Sequence, residues 1–161
     1  MEKTSAIGWT ILIIKLVSIA RRSDADSPMQ EVFSAEVSLA NGIQGDSKGK
    51  QVLRQLTILS KESWIKTCHD LDADLPWTAR RANLLIQGIE FSPTDVGRTI
   101  QIGEVVLEIT RETNPCWKMN QIHEGLKETL MSSWRGGVCC KVLQAGTMNI
   151  GDTVELSKEL F

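Results

Sequence analysis

The sequence has no Cys-x-x-Cys pair and only two histidines, His69 and His123, so none of the usual spacings of a structural zinc site is present. It has no basic excess: 18 lysines and arginines stand against 20 acidic residues, a formal net charge of −2. A nucleic-acid polymer is therefore not an expected partner, although a local Lys/Arg cluster remains available for a small anion. The apolar run Ile11–Val17 is too short to span a bilayer, Lys15 interrupts it, and no small-residue cleavage site follows before Arg21-Arg22. It reads as a buried strand, with no membrane partner and a cytoplasmic location expected. Cys68, Cys116, Cys139 and Cys140 do not resemble the framework of a small secreted chain and are expected as reduced thiols. Low-complexity stretches and linkers are absent, so one domain over 1–161 is expected, built from an ordinary 42% hydrophobic and 24% charged residues. No flavin, nicotinamide or iron–sulfur motif is visible.

Strand signals are frequent in what is there. Phe33, Ala35, Val37 and Leu39 alternate with Ser34, Glu36 and Ser38, the period of a half-buried strand, and Asn41 to Asp46 is turn material. A short apolar run around Leu56 and Ile58 ends at Ser60, which suits a helix N-cap. Trp64, Ile65, Cys68 and Leu71 then recur at helical spacing, and a shorter helix is expected near Leu126 to Met131. Thr99–Val106 and Thr147–Val154 look alike: each runs through a short apolar strand to Gly plus an acidic residue and resumes as a second strand. Both read as tight hairpins, and the matching pair suits a closed or nearly closed barrel. Many short strands, few helices and no long strand–helix alternation predict a mainly β fold, a barrel with short helical insertions.

Three segments are candidates for chemistry. Cys116 follows Pro115 directly after the strand expected from Val105 to Thr110, where a barrel strand gives way to a loop. Lys118 and Arg111 are near in sequence, and a neighbouring cation favours the thiolate, which is both nucleophile and soft metal ligand. Cys116 reads either as such a thiolate, with Met119 facing the same site, or as an inert buried cysteine. Arg80-Arg81-Ala82-Asn83 offers guanidinium forks for phosphate or carboxylate and an amide that donates and accepts, or is a solvated turn. Trp134-Arg135-Gly136-Gly137 either lets backbone approach an anion or simply turns the chain into the strand Val138 to Leu143. His69 is expected as a partly buried polar residue. His123, seven residues after Cys116, lacks an evident carboxylate partner. Cys139 and Cys140 fall on opposite faces of their strand, one expected in the core and one outward.

Taken together and in order, these segments resemble the MOSC family, named after the C-terminal domain of molybdenum cofactor sulfurases. The matching pieces are Ser18-Ile19-Ala20 with Pro28-Met29, Gly42 to Asp46, Arg54 to Ser60, Arg81-Ala82-Asn83-Leu84, Ile102-Gly103, Pro115-Cys116 with Met119, Arg135-Gly136-Gly137-Val138, and Val142 through Gly146 to Gly151-Asp152. They span about residues 14–156.

The resemblance implies a MOSC-type β-barrel that handles the molybdenum cofactor (molybdopterin), a pterin carrying a dithiolene and a phosphate. It implies Cys116 as the molybdenum ligand or persulfide carrier, and hence the catalytic residue. It further implies cofactor contacts from Arg81, Asn83 and the turn Arg135-Gly136-Gly137, and Lys118, the cation two residues after Cys116, is expected to join them. The implied activity is reduction of N-hydroxylated bases or related small molecules, a detoxifying oxidoreductase fed by a separate electron-donor redox protein. A sulfur carrier or cofactor-binding module without its own catalysis is the alternative, and an interaction domain without chemistry a third. Two departures stand out. Ser47 to Gln51 replaces the His-Gly-Gly stretch of many longer relatives, which implies a smaller or more open pocket with Lys48 and Lys50 substituting in part. Met119 stands where reductase and sulfurase relatives often have a second cysteine.

Overall fold

The computed structural model describes residues 2–4 and 10–157, with side chains from residue 13 onward. Strands β1 (Glu2–Thr4) and β2 (Thr10–Leu12) pair as an antiparallel ribbon. The next strand, β3 (Ile14–Arg21), contains the end of the apolar run, and Leu16 is fully buried there. The side chains of Ile11 and Leu12 lie outside the described residues. The chain continues through β4 (Gln30–Val32), β5 (Ser34–Ser38), β6 (Gly42–Ile43), β7 (Leu56–Ser60) and β8 (Leu84–Gln87). It ends with β9 (Thr99–Ile102), β10 (Val105–Glu112), β11 (Val138–Gln144), β12 (Gly146–Asn149) and β13 (Thr153–Leu156).

Seven of these close into a barrel in the order β13-β9-β10-β11-β7-β8-β3, sealed by pairing of Val154 with Ile14 and Thr153 with Lys15; β4 hangs on β3. Strands β5, β6 and β12 form a separate three-stranded sheet against the same core. The core is mostly aliphatic and β-branched: Ile58, Leu84, Ile86, Ile100, Ile102, Leu107 and Ile109 have no exposure. Such residues suit a pleated surface buried on one face. The expected mainly β barrel is thus what the chain forms.

The barrel pairings are antiparallel except one, β7 beside β8, with Ile58 opposite Leu84. A parallel neighbour needs a crossover. Here it comprises helix α1 (Lys61–Asp70), capped by Ser60 accepting from the Ser63 N–H at 3.1 Å, and a 3-10 turn over Trp77–Arg80. Helices α2 (Lys118–Ile122) and α3 (Leu126–Met131) join α1 over the outer face, where Trp64, Met119, Leu126 and Leu130 pack on Leu59 and Leu85.

Several local expectations are corrected. Thr99–Val106 is a hairpin, with Ile102 opposite Val105. Thr147–Val154 is not: β12 pairs with β5, whereas β13 pairs with β9 and β3, so the Asn149–Asp152 turn passes the chain from one sheet to another. Only Ala35 and Val37 of the alternating run face inward; Phe33 and Leu39, beyond the ends of β5, are exposed. Ile65 is exposed on α1, and Thr67 takes the buried position instead. His69 has 89% of its side chain exposed. Cys139 is not outward-facing in any open sense. Cys140 enters the barrel core, and Cys139, on the other face, is covered by Thr113, whose hydroxyl lies 3.3 Å from its sulfur.

Candidate functional site

A cleft of about 190 Å³ opens beside Leu56 and Thr57, where the loops after β3 and β10 converge with those before β8 and β11. Six cations line it, Arg22, Lys48, Arg54, Arg80, Arg81 and Lys118, against one carboxylate, Asp46; Cys116 shares the wall. Non-local contacts assemble this set. The Arg22 N–H donates to Asp46 Oδ1 at 3.2 Å and the Ser47 N–H to the Arg22 carbonyl at 2.9 Å, fastening the loop after β6 over the end of β3. The Lys48 N–H takes the other Asp46 oxygen, at 3.3 Å. Asp46 is thereby engaged by backbone amides. Among the described residues, none of the six cations forms an ion pair.

Arg80 organises the cysteine loop. Its guanidinium is buried and donates from Nε to the Gly136 carbonyl at 3.1 Å and from Nη2 to the Thr113 carbonyl at 2.9 Å. Nη1 lies 3.9 Å from the Met119 sulfur. The chain between Thr113 and Met119 is thus pinned at both ends, and Cys116 stands exposed between them. The alternative of an inert buried cysteine does not hold for Cys116. Burial pushes Arg80 down to about 10, and neighbouring Arg54 adds to that, opposed by Cys116, Cys139 and Glu112. Burial likewise lowers Lys48, helped by Arg54, Arg22 and Lys118, and lowers Arg22, helped by Arg81. Arg54 Nε is buried without a hydrogen-bond partner. Crowded, unpaired cations and an orphaned guanidinium N–H are the electrostatics of an anion site.

Arg81, Asn83, Cys116, Lys118 and Gly136 all reach the lining, as does Lys48; Lys50 faces a separate groove near Gly45. Arg81 is held in the left-handed region at φ +64°, an uncommon conformation for a non-glycine residue. Asn83 is engaged by the protein: Oδ1 accepts from the Thr57 N–H at 3.0 Å and Nδ2 donates to the Ala20 carbonyl at 3.1 Å, tying β7 and β3 to the start of β8. Two expected residues fall outside the lining. Arg135 Nη1 is drawn to Asp70 Oδ2 on α1 at 2.6 Å. Gly137 is pressed on the protein's own backbone, since a Cβ there would lie 2.3 Å from the Ile58 carbonyl oxygen. His123 is half-buried, with Nδ1 2.9 Å from the Glu124 carbonyl, and does not line the cleft. Arg22 and Arg54 were not singled out by sequence as cleft residues. Arg54 opens the matching piece ahead of β7, the one signal that pointed to it.

The family model of the MOSC domain matches residues 45–155, which include every cleft residue except Arg22 and Met29. The chain belongs to the MOSC family. Its fold is similar to that of YuaD from Bacillus subtilis (TM-score 0.79, 15% identity), over 97% of this chain and 98% of that one. It is also similar to YiiM from Geobacillus stearothermophilus (0.73, 15% identity, 90% and 75% covered) and YiiM from Escherichia coli (0.70, 15% identity, 91% and 71% covered). No curated protein sequence matches. MOSC domains are associated with the molybdenum cofactor, and among the described residues no helix is long and apolar enough to cross a membrane.

Proposed function

We propose that this MOSC protein binds the molybdenum cofactor in the cationic cleft and reduces N-hydroxylated bases or related N-oxygenated compounds, as a cytoplasmic, detoxifying oxidoreductase. The observation that carries the reading is the meeting of six unpaired cations and an exposed cysteine in one cleft. The residues suit the group. A thiolate is a soft ligand for the metal, and guanidinium and ammonium groups suit the pterin phosphate. Among the described residues no cluster of three or more His, Cys, Asp or Glu side chains converges on a possible metal site, so Cys116 would serve as one ligand beside the dithiolene.

In this reading Cys116 ligates the metal, Arg81, Lys118, Arg54 and Lys48 hold the anionic portion, and Gly136 forms wall. Arg80 and Asn83 position these groups through the bonds described above, and Arg135 and Gly137 support the turn from behind. The bound cofactor supplies a two-electron oxygen-abstracting centre. The overall change is R–NH–OH + 2 e⁻ + 2 H⁺ → R–NH₂ + H₂O, the electrons coming from a separate redox protein. The exposure of Cys116 beside Lys118 also suits persulfide carriage, the second reading.

The test is a turnover assay on cofactor-loaded protein with reduced viologen as donor and an N-hydroxylated amidine as substrate. Wild type is expected to form the amidine, and Cys116→Ala to be slower by at least about a hundredfold, near 2.7 kcal/mol of barrier. Equal rates would remove Cys116 from the site. Sulfane sulfur on Cys116 in protein that never acquires molybdenum would favour the carrier reading.

A further inference from the structure

The cleft holds more positive charge than one phosphate requires. Asp46 is its only carboxylate, and both Asp46 oxygens already accept from backbone N–H groups. A phosphate monoester brings at most about two negative charges, against six cations. The cations fall into two sets. Arg54 and Arg80 act on one another next to Cys116, on the side fixed by the Thr113 and Gly136 carbonyls. Arg22 and Arg81 act on one another at the end of β3 and the start of β8, where Asp46, Asp24 and Asp26 offset part of the charge on Arg22. Lys48 feels cations of both sets, Arg54 most, then Arg22, along with Lys118. In the second set Arg22 Nη1 donates to the Ala25 carbonyl at 2.9 Å. Among the described residues, the Lys48 and Arg81 side chains make no hydrogen bond.

We infer that Arg22, Lys48 and Arg81 form a second anion subsite, so that the cleft takes a diphosphate-bearing ligand rather than a single phosphate. Like charges held together in a partly buried cleft destabilise one another, and an anion bridging the two sets relieves both. The inference rests on reading the cleft as the cofactor site. Its chemistry has two possible sources, a nucleotide-extended cofactor or a free nucleoside diphosphate.

Calorimetric titration of the full chain with inorganic phosphate and with inorganic pyrophosphate, at matched ionic strength, tests it. Wild type is expected to bind pyrophosphate at least about tenfold more tightly than phosphate. Arg81→Asn, which keeps a residue tolerant of left-handed backbone, is expected to weaken pyrophosphate by at least about tenfold and phosphate by less, so that the preference is lost. Lys48→Gln provides a second variant on an independent loop, expected to weaken pyrophosphate more than phosphate; thermal melts establish that both variants are folded. Equal affinities in wild type, or losses equal for the two ligands in folded variants, would overturn the second subsite. Phosphodiesterase treatment of ligand extracted from molybdenum-loaded protein separates the sources. Release of a nucleoside monophosphate assigns the subsite to an extended cofactor, and none, with ADP binding retained, assigns it to free nucleotide. A pyrophosphate preference in protein that never takes up molybdenum would leave the subsite standing and remove the cofactor reading. Molybdenum uptake with equal affinities would do the reverse.

Discussion

Gly137→Ala is expected to destabilise the protein by about 4 kcal/mol, lowering the melting temperature by roughly 12 °C for a chain of this size. Two effects add. Gly137 sits at φ +97°, where an L side chain is strained by about 1–3 kcal/mol. The added Cβ would also lie 2.3 Å from the Ile58 carbonyl oxygen and must push β7 from the start of β11, where Ile58 pairs with Val138. The Thr113 N–H bonds the Gly137 carbonyl at 2.9 Å, so the displacement reaches the cysteine loop. Gly151→Ala is the control. Its φ is +94°, but nothing lies within 4 Å of the added Cβ, so only the same backbone strain, about 1–3 kcal/mol, is expected. Equal melting temperatures for the two variants would show that the close approach to Ile58 is not what requires glycine.

Replacing Arg80 by Met is expected to cost about 3 kcal/mol and to weaken phosphate binding by about tenfold or more. The substitution leaves the Thr113 and Gly136 carbonyls without the guanidinium donors that now satisfy them. The gain that offsets part of this comes from removing a cation whose charged form burial disfavours. The sign follows from its pKa, which burial lowers to about 10 in the fold from the ordinary arginine range. The unfolded chain binds the proton more tightly, so the penalty is constant below about pH 10 and fades as pH rises above it. Arg80→Lys keeps the charge but has no fork to span two carbonyls, and is expected to restore binding only in part. Melting and titration of both variants check this. A wild-type melt and wild-type phosphate affinity in Arg80→Met would show that the cysteine loop does not depend on Arg80.

Local signals were legible in the sequence where the chain folds on its neighbours. Ser60 caps α1, Leu126 and Leu130 bury one face of α3, and the Thr99–Val106 hairpin closes on Gly103. The segments around Arg81-Ala82-Asn83, Pro115-Cys116 and Arg135-Gly136 were legible as chemical candidates, and parts of all three meet at the cleft. What was not legible depends on pairing between distant strands. The turn at Asn149–Asp152 matches the earlier hairpin locally, but β5 competes for β12, and β3 and β9 for β13. Arg22 becomes a cleft residue only because the Asp46 loop docks on the end of β3, a contact 24 residues apart. Gly136 and Gly137 looked like room for a ligand, yet both glycines are required by the protein's own backbone. Added Cβ atoms would meet the Thr113 carbonyl oxygen at 2.5 Å and the Ile58 carbonyl oxygen at 2.3 Å. Asn83 follows the same logic: residue type suggested a ligand contact, and the fold engages its amide between strands.

The most direct test of the central claim is elemental analysis for molybdenum on protein purified anaerobically from cells that make the cofactor, with Cys116→Ala purified in parallel. Near-stoichiometric molybdenum in wild type and little in the folded variant is the predicted result. No molybdenum in wild type, or equal amounts in both proteins, would contradict the assignment of Cys116 and its cationic cleft as the cofactor site.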